Sequence, residues 1–192
     1  MLSYSLDMSK NLEIEAKAML DEKSYHLLVN HLKTYKQINY YLDNTFKDIR
    51  NNSNIGLRIR YKNNEYELTL KVDLDEGKIE YNHILSTADF RAFKENGLLP
   101  DCEVTKMLKS LNVRFPLHIL GEMITYRSDL NYKTSLISID KSKYNSHVDY
   151  EIECEDTSIK IARQNLEEFL YKNHIEFKAN VVSKYKRFIK TI

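Results

Sequence analysis

In stretch after stretch the sequence alternates charged and apolar residues one for one, and within each stretch the charges keep to a single phase. The pattern is first met at NLEIEAK, where Glu13, Glu15 and Lys17 interleave with Leu12, Ile14 and Ala16. Successive side chains of a β-strand point to opposite faces, so this spacing makes one charged and one apolar face. GLRIRYK repeats it, with Arg58, Arg60 and Lys62 opposing Leu57, Ile59 and Tyr61. In YELTLKV, Glu67, Thr69 and Lys71 oppose Tyr66, Leu68, Leu70 and Val72; in KIEYNHIL, Lys78, Glu80 and Asn82 oppose Ile79, Tyr81, His83 and Leu85. ITYRSDL joins Arg127 to Thr125 and Asp129, and VDYEIECE sets Asp149, Glu151, Glu153 and Glu155 against Val148, Tyr150, Ile152 and Cys154. With LISID, ending at Asp140, and NYYLDNT, Asn39 to Thr45, the pattern predicts about eight strands of ordinary length. A hairpin turn is expected at Asn63 to Glu65.

Helical periodicity fills the gaps. DEKSYHLLVNHLK starts at an Asp21 cap, STADFRAFKENG runs from Ser86 or Thr87 to Gly97, and EVTKMLKSL and IKIARQNLEEFLYK each carry an apolar stripe. A final helix is predicted within VVSKYKRFIKTI, with Val181, Tyr185, Phe188 and Ile189 packed.

A charged strand face by itself means water on one side of an antiparallel sheet. The set as a whole is harder to read that way, because arginines cluster in one strand and carboxylates in others, while the opposite faces offer amphipathic helices a surface to cover. The fold class predicted is therefore α+β: a closed antiparallel eight-stranded barrel with helices outside and the charges inside. Like charges confined there repel and are costly to desolvate, so such a lining needs water, ion pairs or a ligand to compensate it. A polyanion held with a divalent metal compensates both sets, since carboxylates suit Mg²⁺ or Mn²⁺ and guanidinium forks suit phosphate oxygens. A linear triphosphate has the required length and charge.

The series ExExK (Glu13, Glu15, Lys17), LRIR (Arg58, Arg60), LTLK (Lys71), Glu80, the ITYR arginine Arg127, the ExE of Glu151 and Glu153, and SKYKR with Lys184 resembles the CYTH superfamily of triphosphate tunnel metalloenzymes. The spacing is most similar to bacterial members of unassigned substrate. YYLDNT departs from the family pattern of an aromatic pair followed by Asp-Thr, with Asn44 in the Thr place and Thr45 after it. The resemblance implies an eight-stranded tunnel, divalent metal, and hydrolysis or cyclisation of a triphosphate.

On that basis Lys17, Arg58, Arg60, Lys71, Arg127 and Lys184 are expected to bind substrate. Glu13, Glu15, Glu151 and Glu153 are expected to hold Mg²⁺ or Mn²⁺, with Glu80 a further ligand or an orienter of the basic residues. Glu13, Glu15, Lys71 and Glu153 form the expected catalytic set; Tyr41, Asp140 and Arg187 receive no role. Phosphoryl transfer needs positioning and charge stabilisation more than covalent chemistry, so no nucleophilic side chain is required. The activity expected is hydrolysis of the terminal phosphoanhydride of an inorganic or organic triphosphate. A class IV-type adenylate cyclase and a non-catalytic polyphosphate-binding or nucleotide-binding barrel are the alternatives.

At 192 residues the expectation is one domain over 11–192 behind a flexible leader at 1–10. A formal charge of +1 gives no global field toward nucleic acid or an anionic membrane, and no apolar run suits a bilayer span or signal peptide. A cytoplasmic protein with a small-molecule triphosphate as partner is expected, its oligomeric state open. Cys102 and Cys154 lack metal-ligand spacing and are expected as reduced thiols, and the six histidines are scattered.

Overall fold

A computed structural model describes residues 10–75, 77–180 and 182–192. The expected leader lies outside the described residues except for Lys10, which opens the first strand. In chain order the elements are β1 (Lys10–Glu13), β2 (Glu15–Leu20), α1 (Glu22–Val29), β3 (Thr34–Asp43), β4 (Ile55–Lys62), β5 (Glu65–Asp73) and β6 (Lys78–Leu85). Then follow α2 (Thr87–Asn96), α3 (Glu103–Ser110), β7 (His118–Tyr132), β8 (Ser135–Tyr144), β9 (His147–Glu155), α4 (Ile159–Lys172) and α5 (Lys184–Ile189). The antiparallel α+β class is the one expected. Among the described residues the strands number nine rather than eight, because Ile14 interrupts NLEIEAK and its carbonyl instead accepts the Asp156 N–H at 3.1 Å.

Local chemistry sets the boundaries. The Asp21 carboxylate accepts the Ser24 N–H to start α1, and Ser86 and Asp89 exchange bonds in a capping box at α2. Gly97 ends α2 at φ 71°, where a Cβ would meet the Leu117 carbonyl oxygen at 2.3 Å. Asn63 and Asn64, at φ 51° and 65°, form the two-residue link between β4 and β5, a hairpin geometry that favours asparagine and glycine. The last helix is shorter than its apolar pattern suggests: Ser183 caps it by accepting the Lys186 N–H, and Val181 lies outside the described residues.

The described residues fall into two compact units, one holding Ile38–Glu122 with 10–12, the other Glu13–Gln37 with Met123–Ile192. In the first, β3, β4, β5 and β6 pair antiparallel in that order, and α2 and α3 cover β5 and β6. Leu57, Ile59, Leu68 and Leu70 are buried there, as are Phe90, Phe93, Val104 and Leu108 of the helices. In the second, β7, β8, β9 and β2 pair in order, and α4 and α1 cover the apolar face of Ala16, Ala18, Ile137, Ile139 and Ile152. Full burial of each such aliphatic side chain contributes about 1.5–3 kcal/mol. Cys102 and Cys154 are free and buried. No helix among the described residues is long and apolar enough to cross a membrane.

Candidate functional site

The face of the second unit's sheet opposite that core carries acids and bases on consecutive rungs. Arg127 of β7 lies opposite Asp140 of β8, Asp140 opposite Glu151 of β9, and Glu151 opposite Met19 of β2. The next rung runs Asp129, Ser138, Glu153 and Lys17. Directly opposed residues point to the same face, so the alternation seen in four separate stretches becomes one lattice of charge.

Its contacts are dense. Arg127 grips Asp140 with two bonds, Nε to Oδ1 at 2.8 Å and Nη2 to Oδ2 at 2.6 Å, and reaches Glu153 at 2.6 Å. Lys17 meets Glu15 at 2.6 Å and Glu153 at 3.2 Å. Lys184, delivered by α5, contacts Asp140 at 2.9 Å, Glu153 at 2.6 Å and Glu151. One turn on, Arg187 binds Asp149 at 2.7 Å and Glu151 at 2.8 Å. Asn180 brings α5 there: its N–H donates to the Lys17 carbonyl at 3.0 Å and its side-chain amide donates to Glu151.

Asp140 and Glu151 are 0% and 1% exposed, and a carboxylate taken this far out of water needs such partners to offset its desolvation. Burial pushes the Asp140 and Glu153 carboxyls up, but Lys184 with Arg127, and for Glu153 also Lys17, outweigh it and leave both below the usual range. Burial likewise pulls Lys17 and Arg127 down, and the facing carboxylates hold both well above their ordinary values. Asp140, Glu153, Lys17 and Arg127 therefore stay ionised through the neutral range.

The first unit presents a second charged face. One rung runs Tyr41, Arg58, Thr69 and Asn82; the rungs beside it pair Lys71 with Glu80 and Asn39 with Arg60 with Glu67. Lys71 and Glu80 form an ion pair, and Arg60 Nε donates to Asn39 Oδ1 at 3.0 Å. Burial pushes Glu80 up, yet Lys71 and Arg58 pull it down to about 2. Arg58 Nε is buried and has no hydrogen-bond partner. Tyr41 shares the Arg58 face, while Tyr40 packs on the apolar side, against Phe90. In YYLDNT, buried Asn44 accepts the Phe46 and Asp48 N–H groups and donates to Asp48 and the Arg114 carbonyl, while Thr45 is exposed.

Of the expected residues, Glu15, Lys17, Arg127, Glu151, Glu153 and Lys184 therefore meet in one lattice, and Arg58, Arg60, Lys71 and Glu80 share a face of the other unit. Glu13 ends β1, one residue before the break at Ile14. The sequence reading left out Asp140, Asp149, Asn180 and Arg187 of the lattice. Strand phase pointed to Asp140 and Asp149; only tertiary packing reveals the other two.

Among the described residues no group of three or more His, Cys, Asp or Glu stands ready to hold a metal ion. The donor set nevertheless fits a hard divalent cation in kind. Glu15, Asp140, Asp149, Glu151 and Glu153 outnumber Lys17, Arg127, Lys184 and Arg187 by one, and their oxygens are the ligand type Mg²⁺ and Mn²⁺ prefer.

The family model described as the CYTH domain matches residues 11–189. A Bacillus subtilis protein named as a candidate triphosphatase, YjbK, is 31% identical over 170 residues, covering 85% of this chain and 87% of its own. A solved structure of a candidate adenylate cyclase from Bacillus halodurans superposes with a TM-score of 0.86 at 29% identity, covering 94% of this chain and 99% of its own. HpAC1 from Hippeastrum, a candidate adenylyl cyclase described as having a dominant triphosphatase activity, superposes at 0.80 with 25% identity over 94% of this chain and 96% of its own. The chain belongs to the CYTH domain family.

Proposed function

We propose that the protein is a divalent-metal-dependent triphosphatase that cleaves the terminal phosphoanhydride of a linear triphosphate. The observation that carries this reading is Arg58. Its guanidinium lies among Thr69, Lys71 and Glu80 with Nε buried and unbonded, a donor held ready for an acceptor the protein does not supply. An oxyanion is the natural acceptor, because guanidinium donors match phosphate oxygens in charge and geometry. Arg60 and Lys71 beside it extend the same donor surface.

In this reading Arg58, Arg60, Lys71 and Arg127 hold phosphate oxygens, and Lys17 and Lys184 neutralise further charge. Glu13, Glu15, Glu151 and Glu153 would hold Mg²⁺ or Mn²⁺, which supplies charge neutralisation on the phosphates. Fixed cations placed where negative charge develops lower the barrier to phosphoryl transfer without a covalent intermediate. The names borne by the Bacillus and Hippeastrum relatives support a triphosphate substrate.

Orthophosphate release from tripolyphosphate, thiamine triphosphate, ATP and GTP, measured with each metal, tests the proposal. Turnover abolished by Lys71→Ala in a folded variant is the expected result; tight binding without turnover overturns it. Cyclic AMP read in the ATP reactions tests the cyclisation that the Bacillus halodurans relative's name suggests.

A further inference from the structure

The rung that holds Arg58 carries a second unsatisfied atom. Asn82 lies two strands away, opposite Thr69, which is itself opposite Arg58. Its side-chain carbonyl oxygen, Oδ1, is buried and accepts no hydrogen bond. One rung of one sheet face therefore offers an unused donor at Arg58, a fully buried hydroxyl at Thr69 and an unused acceptor at Asn82. Buried polar atoms left unpaired cost free energy, and two on one rung mark a place where something else bonds.

The orientation of the Asn82 amide is fixed by its neighbour. Glu80, two residues earlier on the same face of β6, is ion-paired with Lys71 and so presents only acceptors. Asn82 Nδ2 turns toward Glu80 Oε2 in a long contact of 3.5 Å. A flipped amide would set Oδ1 against the carboxylate. The carboxylate thus favours the amide orientation in which Asn82 shows its oxygen, not its nitrogen, to the rung.

A phosphate oxygen suits Arg58 but not Asn82, since two acceptors repel. What an acceptor beside a bound phosphate can take is the hydrogen of a water molecule. We propose that Asn82 Oδ1 orients the water that attacks the phosphoryl group held at Arg58, with Glu80 as a positioning residue acting through the Asn82 amide. The inference rests on the hydrolase reading above and gives it a named residue for the nucleophile. The water oxygen bonds to the terminal phosphorus as the bridging P–O bond breaks. The two hydrogens of water end one on each product, so that tripolyphosphate and water become hydrogen phosphate and hydrogen diphosphate. The amide carbonyl is far too weak a base to keep a proton; it aims the water and leaves the proton to the phosphate oxygens.

Steady-state hydrolysis of tripolyphosphate by the full chain, alongside Asn82→Ala and Asn82→Gln, tests this. Asn82→Ala is expected to lower kcat roughly 10²-fold, the size of a lost contact that positions a reacting group. KM should stay within about threefold, because the phosphate contacts are untouched. Asn82→Gln keeps a neutral carbonyl acceptor together with an amide nitrogen for Glu80 and is expected to run at least roughly tenfold faster than Asn82→Ala. Should Asn82→Ala fail to fold, as judged by its unfolding midpoint, Asn82→Ser is read by the same criteria. An unchanged kcat, or a rise in KM alone, overturns the water-orienting role while leaving the hydrolase reading intact. No orthophosphate from the unaltered protein overturns both.

Discussion

Arg127 and Asp140 face each other across β7 and β8 and are joined by two hydrogen bonds of 2.8 and 2.6 Å, with Asp140 wholly out of solvent. Asp140 also receives Lys184, so two cations share this carboxylate. Arg127 keeps Glu153 and Lys184 keeps Glu151 and Glu153, so Asp140→Ala should cost about 1–3 kcal/mol, the range for buried donors that lose one acceptor. Urea unfolding measures it, and a loss below about 1 kcal/mol would mean that the pair is relaxed in solution.

Arg58 and Lys71 should part company in the same experiment. Lys71→Ala strands Glu80, whereas Arg58→Ala removes a group whose Nε bonds nothing in the protein. Arg58→Ala is expected to leave stability within about 1 kcal/mol. Tripolyphosphate affinity should fall about 10- to 100-fold, the range for a lost charge-assisted bond. Calorimetric titration beside thermal unfolding separates the two effects.

The carboxyls of Glu80, Asp140 and Glu153 lie below their unfolded values, so their contribution to stability is present above roughly pH 4.5 and is lost as pH falls through the folded values, about 2 for Glu80. Lys17, held above 10.5, contributes fully below that pH and loses its contribution only in stronger alkali. Between pH 5 and 9 these groups give no slope. Unfolding free energy measured across that window should be flat with respect to them and fall on the acid side, and a midpoint between pH 6 and 8 would contradict the charge states described.

α5 is only six residues long, and Lys184 and Arg187 tie it to Asp140, Asp149, Glu151 and Glu153. Replacing both with alanine should raise amide exchange across 184–189 by tenfold or more, about 1.4 kcal/mol of local stability. Exchange within β8 and β9 serves as the internal control.

Much of this architecture is legible in the sequence because a strand's two-residue period and a helix's caps are local. The charged phases of GLRIRYK and VDYEIECE, and Ser86 and Gly97 at the ends of α2, are where the sequence places them. Partner choice is not local. Arg127 meets Asp140 because the β7–β8 turn sets their register, and Asn180 reaches Glu151 from a backbone that is tied by its N–H to the Lys17 carbonyl. The break at Ile14 depends on Asp156, 142 positions later, a contact no window along the chain contains. Asn44 has an equally hidden role, since the four hydrogen bonds of its side chain include one to the distant Arg114 carbonyl.

The pair of left-handed asparagines between β4 and β5 acts as a gauge for the chemistry. A link of just two residues lets β4 and β5 meet in one alignment, Lys62 against Glu65, and counting back from that rung decides which way every second side chain looks. A slip of one position would carry both guanidiniums of LRIR beneath the helices and push Leu57 and Ile59 out among the carboxylates. The handedness of two peptide units thus determines whether the anion-seeking side of the hairpin exists at all.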